Sequence, residues 1–204
     1  IRCRANLSLQ GVPPVSEQTF ASRLEKFAAR RGGYHARYGQ DNGSAYACFL
    51  VYDAYQGLGI QPPELDGLCR CLLSARAADG SFGLETSTAA GTTPTTVAAS
   101  LILSELEREG AEGAAAWICE RAHPQGGFCA ARGAPLPDLL STATALHALS
   151  AAHVDLAPYK ESCLDFIDSL WTNQGSFHGT WEDELLDVEY TYYGLLALGH
   201  LAVA

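Results

Sequence analysis

Two kinds of apolar segment alternate along the chain, joined by short polar, glycine-rich connections. One kind, at roughly 43–57, 94–107, 138–152 and 187–202, is rich in Ala and Leu and nearly free of charge, as in Ser141-Thr142-Ala143-Thr144-Ala145-Leu146-His147-Ala148-Leu149. A helix that is apolar on most sides has to be buried on most sides, so these segments predict inner helices. The other kind, at roughly 16–30, 63–76, 112–122 and 159–171, gathers charge on one face, as with Arg23, Glu25 and Lys26 or Glu161, Asp165 and Asp168. That pattern predicts outer helices with one face in water.

A glycine-containing knot ending in an aromatic separates each outer helix from its inner one: Arg31-Gly32-Gly33-Tyr34, Asp79-Gly80-Ser81-Phe82, Gln125-Gly126-Gly127-Phe128 and Gln174-Gly175-Ser176-Phe177. The aromatics fall 48, 46 and 49 residues apart, a period that marks tandem repeats. Each repeat is a helical hairpin, at about 16–57, 62–107, 111–152 and 158–202, within one domain spanning 1–204. In the last three repeats the aromatic stands fourteen residues before a Thr (Thr96, Thr142, Thr191), so these positions are equivalent. The fold class is all-α, an α/α toroid or partial toroid of about four hairpins; periodicity alone does not choose between an open solenoid and a closing ring.

Asp138 and Asp187 open the last two inner helices, each four residues before its Thr. As N-caps they satisfy free backbone amides; at the mouth of an inner helix they are also candidate site residues.

At 204 residues and 48% hydrophobic against 18% charged, the chain belongs among folded proteins. A net charge of −10 without any Lys/Arg run excludes a phosphate-backbone surface, and nucleic acid with it. No apolar run approaches the roughly twenty residues of a membrane span, and Ile1-Arg2-Cys3 opens no signal-peptide core. With no Met at all, the chain reads as a processed or truncated product. Seven scattered cysteines (Cys3, Cys48, Cys69, Cys71, Cys119, Cys129, Cys163) sit mostly in helical runs rather than in a disulfide framework. They read as buried thiols in a reducing, cytoplasmic compartment.

From about residue 20 onward the repeats resemble those of protein prenyltransferase β subunits and squalene-type cyclases. The look is most similar to the β subunits of Rab geranylgeranyltransferases: Trp117-Ile118-Cys119-Glu120-Arg121, Gln125-Gly126-Gly127-Phe128 and Leu136-Pro137-Asp138 resemble the stretch leading to their zinc-bearing helix. Asp187-Val188-Glu189-Tyr190-Thr191-Tyr192-Tyr193-Gly194-Leu195 resembles their last inner helix. The resemblance implies an α/α toroid. In that family an Asp, a Cys two residues later and a His on the last inner helix hold a zinc ion, which keeps the substrate cysteine as a thiolate. Here Asp138 stands at the Asp position, but Leu140 replaces the Cys and Tyr190 the His. One carboxylate is too few for catalytic zinc, so no metal is expected there, and no cofactor.

The diphosphate clamp that the family implies is also thinned. Arg132 matches its Arg, but Pro135 replaces the Lys, Ser141 the Tyr and Gly91 the His. The cyclase branch uses consecutive aspartates as a strong acid, and no Asp-Asp pair exists. The nearest acidic run is Trp181-Glu182-Asp183-Glu184-Leu185-Leu186-Asp187, a solvated loop unless an apolar pocket raises the pKa of Asp183 or Asp187.

Other constellations read as structural. Cys119, His123 and Cys129 lack an obvious fourth ligand, and Cys69-Arg70-Cys71 points its thiols to different helix faces. The knots lack the Lys-Ser/Thr of a phosphate loop, and no nucleophile elbow occurs, which excludes nucleotide hydrolysis and serine-esterase chemistry. Aromatics cluster near the inner-helix starts, where in a toroid they either line a cavity suited to an isoprenoid or pack in the core.

The sequence therefore nominates Asp138, Tyr190 and Asp187 as candidate catalytic residues, and Arg132, Tyr46, Trp181, Tyr192 and Tyr193 as candidate ligand-binding residues. The expected partner is an apolar small molecule or isoprenoid diphosphate, with a protein partner or self-association as a further expectation. Three readings stay open: an isoprenoid-binding protein without the zinc triad, an active prenyltransferase or cyclase with a non-standard site, and a helical-repeat scaffold.

Overall fold

The computed structural model describes residues 16–86 and 90–204; Cys3, with the rest of 1–15, lies outside them. Eight α-helices occur among the described residues: α1 (Glu17–Leu24), α2 (Ala45–Leu58), α3 (Leu65–Ser74), α4 (Thr93–Glu105), α5 (Ala114–Cys119), α6 (Leu139–Ala151), α7 (Lys160–Ser169) and α8 (Val188–Ala202). No described residue belongs to a strand, and none of the helices is long and apolar enough to cross a membrane. The even-numbered helices are the inner ones. α2 packs on α4, α4 on α6 and α6 on α8, with the shorter odd-numbered helices behind them.

The knots share one geometry. An antiparallel bridge closes each of them, Ala28 to Tyr34, Arg76 to Phe82, Ala122 to Phe128 and Trp171 to Phe177, and in the third knot Phe128 also bridges Asp138. All four aromatics are buried. The fourteen-residue register is a hydrogen bond, in which the Phe82 amide donates to Thr96 Oγ1 at 3.0 Å and the Phe128 amide to Thr142 Oγ1 at 2.9 Å. In the first repeat Cys48 stands at this register and accepts from the Tyr34 amide at 3.3 Å. In the fourth, Thr191 meets the Ser176 hydroxyl at 2.8 Å.

Ten residues after each aromatic comes the N-cap of the inner helix. Ser44, Thr92, Asp138 and Asp187 accept the amides of Ala47, Thr95, Ser141 and Tyr190 at 3.4, 3.4, 2.7 and 2.8 Å. The first helical residue then ties its repeat to the next. Ala45, Thr93 and Leu139 donate their amides to the carbonyls of Leu84, Ala130 and Gly179 at 2.8, 2.7 and 2.8 Å. Each of these carbonyls lies two residues past the aromatic of the following knot.

The core has two joined parts. Tyr34, Tyr55, Leu68, Leu72, Phe82 and Leu103 fill the first two repeats, and Ile118, Phe128, Leu139, Leu146, Phe166 and Leu170 the last two. Each such side chain removed from water contributes about 1.5–3 kcal/mol, so the packing of hairpin on hairpin carries the fold. The six described cysteines are free thiols, and Cys48 and Cys71 face each other at 3.9 Å.

Candidate functional site

The four inner helices pack in sequence, and side chains from all four border one space. About 230 Å³ is bounded by Tyr46, Phe49 and Leu50 of α2, Val97 and Ala98 of α4, Thr144 and His147 of α6, and Tyr192, Tyr193 and Leu196 of α8. Through Phe49, Asp53 and His147 it adjoins a second space of about 550 Å³, bounded by α2, α4 and α6. Aromatic and aliphatic side chains on rigid helices, with a few polar groups among them, are what a small-molecule cavity requires. A concavity of about 970 Å³ lies on the first repeat, bounded in part by Tyr46, Ala47, Leu50 and Val51 of α2, and so borders the first space at Tyr46 and Leu50.

Three of the five nominated ligand-binding residues meet at the space of about 230 Å³: Tyr46, Tyr192 and Tyr193. The hydroxyls of Tyr46 and Tyr193 lie 3.3 Å apart, and the Tyr46 hydroxyl donates to Glu189 at 3.5 Å, so the first and last inner helices touch. Burial and this shared bond push the Tyr193 phenol well above its ordinary range. Tyr192 stacks edge-on against Tyr193 at 5.4 Å.

The other two stand apart. Arg132 is exposed on the loop before α6. Trp181 turns back to the outer layer, where its ring packs edge-on against Phe166 at 5.4 Å and its indole N–H donates to Ser169 at 2.8 Å.

The candidate catalytic residues gather at the entrance of α6 and α8. Asp138 is half-buried, and burial holds its carboxyl above the usual carboxylate range, partly offset by the bond from the Ser141 amide. Asp187 is an exposed cap. The Tyr190 ring lies over Gly179, and burial together with Asp183, Asp187 and Asp138 raises its phenol. These residues do not fit a zinc ion. Leu140 has no donor, Tyr190 is a protonated phenol, and a carboxylate oxygen of Asp138 already accepts the helix-cap bond. Among the described residues no cluster of three His, Cys, Asp or Glu side chains could hold a metal.

A pair that the sequence alone did not single out lies between α6 and α8. His147 Nδ1 and His200 Nε2 are 3.0 Å apart, and burial lowers the pKa of His200. The available signal was a lone His inside each of two nearly uncharged inner helices.

The inner helices packed in sequence, the outer layer and the repeated knots define an α/α toroid fold. The model of the prenyltransferase alpha-alpha toroid domain matches residues 7–128 and 95–202, and the chain belongs to that family. Similar solved structures include protein geranylgeranyltransferase-I of Candida albicans complexed with GGPP, at 17% identity and a TM-score of 0.69, covering 91% of this chain and 60% of that one. The type II terpene cyclase MstE from Scytonema is similar at 14% identity and a TM-score of 0.66, covering 90% of this chain and 55% of that one. A variant of the same cyclase, in complex with geranylgeranyl dihydroxybenzoate, gives 14% identity and a TM-score of 0.66, covering 90% and 56%. The chain thus spans little more than half the length of these proteins, and the likeness is one of fold. No curated protein sequence matches it.

Proposed function

We propose that the chain is a prenyltransferase- and terpene-cyclase-like protein that takes an isoprenoid or similar apolar ligand between its inner helices, without the zinc-held thiolate chemistry. The observation that carries this reading is the space of about 230 Å³ bordered by side chains of all four inner helices, Tyr46, Tyr192 and Tyr193 among them. Aromatic faces suit a polyene chain, and buried Val97 and Ala98 add apolar wall. Similar structures hold GGPP or a geranylgeranyl compound, which supports the ligand class. Residues 1–204 form one repeat domain on this reading, and the free thiols of the core favour a reducing, cytoplasmic setting.

Titration calorimetry with farnesyl and geranylgeranyl diphosphates, alongside inorganic diphosphate, tests it. Binding of the prenyl compounds but not of inorganic diphosphate supports the proposal. Failure of both prenyl compounds to bind overturns it, as does one tightly held zinc per chain that is lost in Asp138→Ala.

A second reading, prenyl transfer or cyclisation by a non-standard site, rests on the raised carboxyl of Asp138 beside Tyr190. A carboxyl that keeps its proton is the form in which it can act as an acid. A new prenylated or cyclised product from farnesyl or geranylgeranyl substrates, lost in Asp138→Asn, would establish it.

A further inference from the structure

The knots of the first and third repeats meet the outer helix of the following repeat in one register. A Cβ on Gly32 would strike the Gly67 carbonyl of α3, and one on Gly126 the Ser162 carbonyl of α7. At the next glycine of the third knot, Gly127, the walls are Thr142 of α6 and Phe166 of α7. In the first knot the residues against Gly33 are Cys48 of α2 and Cys71 of α3. Both walls of one contact are thus cysteine, and a threonine–phenylalanine pair that cannot bond has a dithiol as its counterpart.

The two sulfurs lie 3.9 Å apart, the Cys48 thiol donating to Cys71. A disulfide needs about 2.05 Å, so each sulfur has about 1 Å to travel. Their chemical roles differ. Hydrogen bonds from the Cys48 thiol and the Gly43 amide hold the Cys71 thiol below its ordinary range in spite of burial, whereas the bond to Cys71 and burial push Cys48 well up. The thiolate is the nucleophile, so Cys71 attacks and Cys48 resolves. Cys71 packs against Gly43, and Asn42 and Ser44 on either side of that glycine line the concavity of about 970 Å³. The way from this opening to the sulfur passes a residue with no side chain to block a small oxidant.

We propose that Cys48 and Cys71 form a reversible oxidation site, at which hydrogen peroxide makes a disulfide joining the inner helix of the first repeat to the outer helix of the second. The Cys71 thiolate attacks one peroxide oxygen and the O–O bond breaks; Cys71 becomes a sulfenic acid, and the departing hydroxide takes the proton that Cys71 gave up and leaves as water. The Cys48 sulfur then attacks the sulfenic sulfur, the S–O bond breaks, and the hydroxyl leaves with the Cys48 proton as a second water. Two thiols lose two electrons, and one peroxide gains them. The bond pins α2, which brings Tyr46, Phe49 and Leu50 to the space of about 230 Å³, against α3. The proposal is independent of any ligand in that space.

Peroxide titration of the reduced 204-residue chain, followed by thiol blocking, digestion and mass spectrometry, tests it. The product should have lost two of its seven thiols and carry one linked pair of peptides, through Cys48 and Cys71, which dithiothreitol separates. In Cys48→Ser the serine hydroxyl still accepts the Tyr34 amide, as Thr142 accepts that of Phe128, and Cys71 should be trapped as a sulfenic or sulfinic acid. Cys71→Ser should leave Cys48 a thiol at the same dose, with circular dichroism confirming that both variants fold. Peroxide that leaves Cys48 and Cys71 as thiols in the parent chain overturns the proposal. So does a link from either one to any other cysteine, or Cys71 passing to the sulfinic acid while Cys48 stays free.

Discussion

The hydroxyl of Thr142 donates to the carbonyl oxygen of Asp138 at 2.7 Å while accepting the buried amide of Phe128. One side chain thereby joins knot, cap and inner helix. Thr142→Val keeps the shape but leaves a buried amide without its acceptor, which should cost about 1–3 kcal/mol in urea unfolding. Thr142→Ser retains both bonds and should lose less; a loss as large as that of Thr142→Val would show that the methyl matters as much as the hydroxyl.

Gly126 has φ +94°, and a Cβ there would run into the Ser162 carbonyl of α7. Gly175 has φ +82° and nothing near its missing Cβ. Gly175→Ala should therefore cost only the left-handed conformation, about 1–2 kcal/mol. Gly126→Ala should cost distinctly more, because backbone must move as well. A pair of thermal melts decides it.

Gly59, Glu107 and His153 follow the first three inner helices at one register, with φ of 71°, 51° and 56°. Only the first is the residue that this conformation favours. Glu107→Gly and His153→Gly should each stabilise the chain by about 1 kcal/mol, read as a higher denaturant midpoint.

Burial raises the Asp138 carboxyl in the folded state, so between the unfolded and the folded value the folded chain binds this proton more tightly than the unfolded chain does. This contribution to stability is fully present below about pH 4, the unfolded value, and is lost as pH rises through the raised one. Asp138→Asn caps the helix without titrating. Its stability relative to the parent should improve as pH climbs from 4 toward neutrality, and a difference that stays flat would remove the buried-carboxyl account.

His200 behaves in the opposite sense. Burial lowers its pKa, so the unfolded chain binds the proton more tightly, and stability falls as pH drops below about 6.5 toward the folded value. His200→Gln should flatten that part of the stability profile. An unchanged slope between neutral and mildly acidic pH would count against it.

Much of the fold was legible because the knots repeat in composition as well as in shape: glycine, then an aromatic, at a constant distance from Thr. Asp138 and Asp187 were legible as caps for the same reason. Ser44 and Thr92 perform the identical task but were not read as caps. The role of Cys48 was hidden because a thiol replaces the hydroxyl that the other repeats use. The site was less legible. Tyr46 and Tyr193 are 147 residues apart in sequence, and only the curvature of the array brings their hydroxyls together. Trp181 sits in a loop whose direction no periodicity sets, and that loop folds back onto α7.

The bonds from Ala45, Thr93 and Leu139 to the loops of Leu84, Ala130 and Gly179 run in one direction only. A hairpin leaving the ribosome is therefore incomplete until its successor has emerged, and the array matures one unit behind synthesis. Truncation is correspondingly uneven: removing the last hairpin also strips the cover from α6, while removing the first leaves the starts of α4 and α6 supplied.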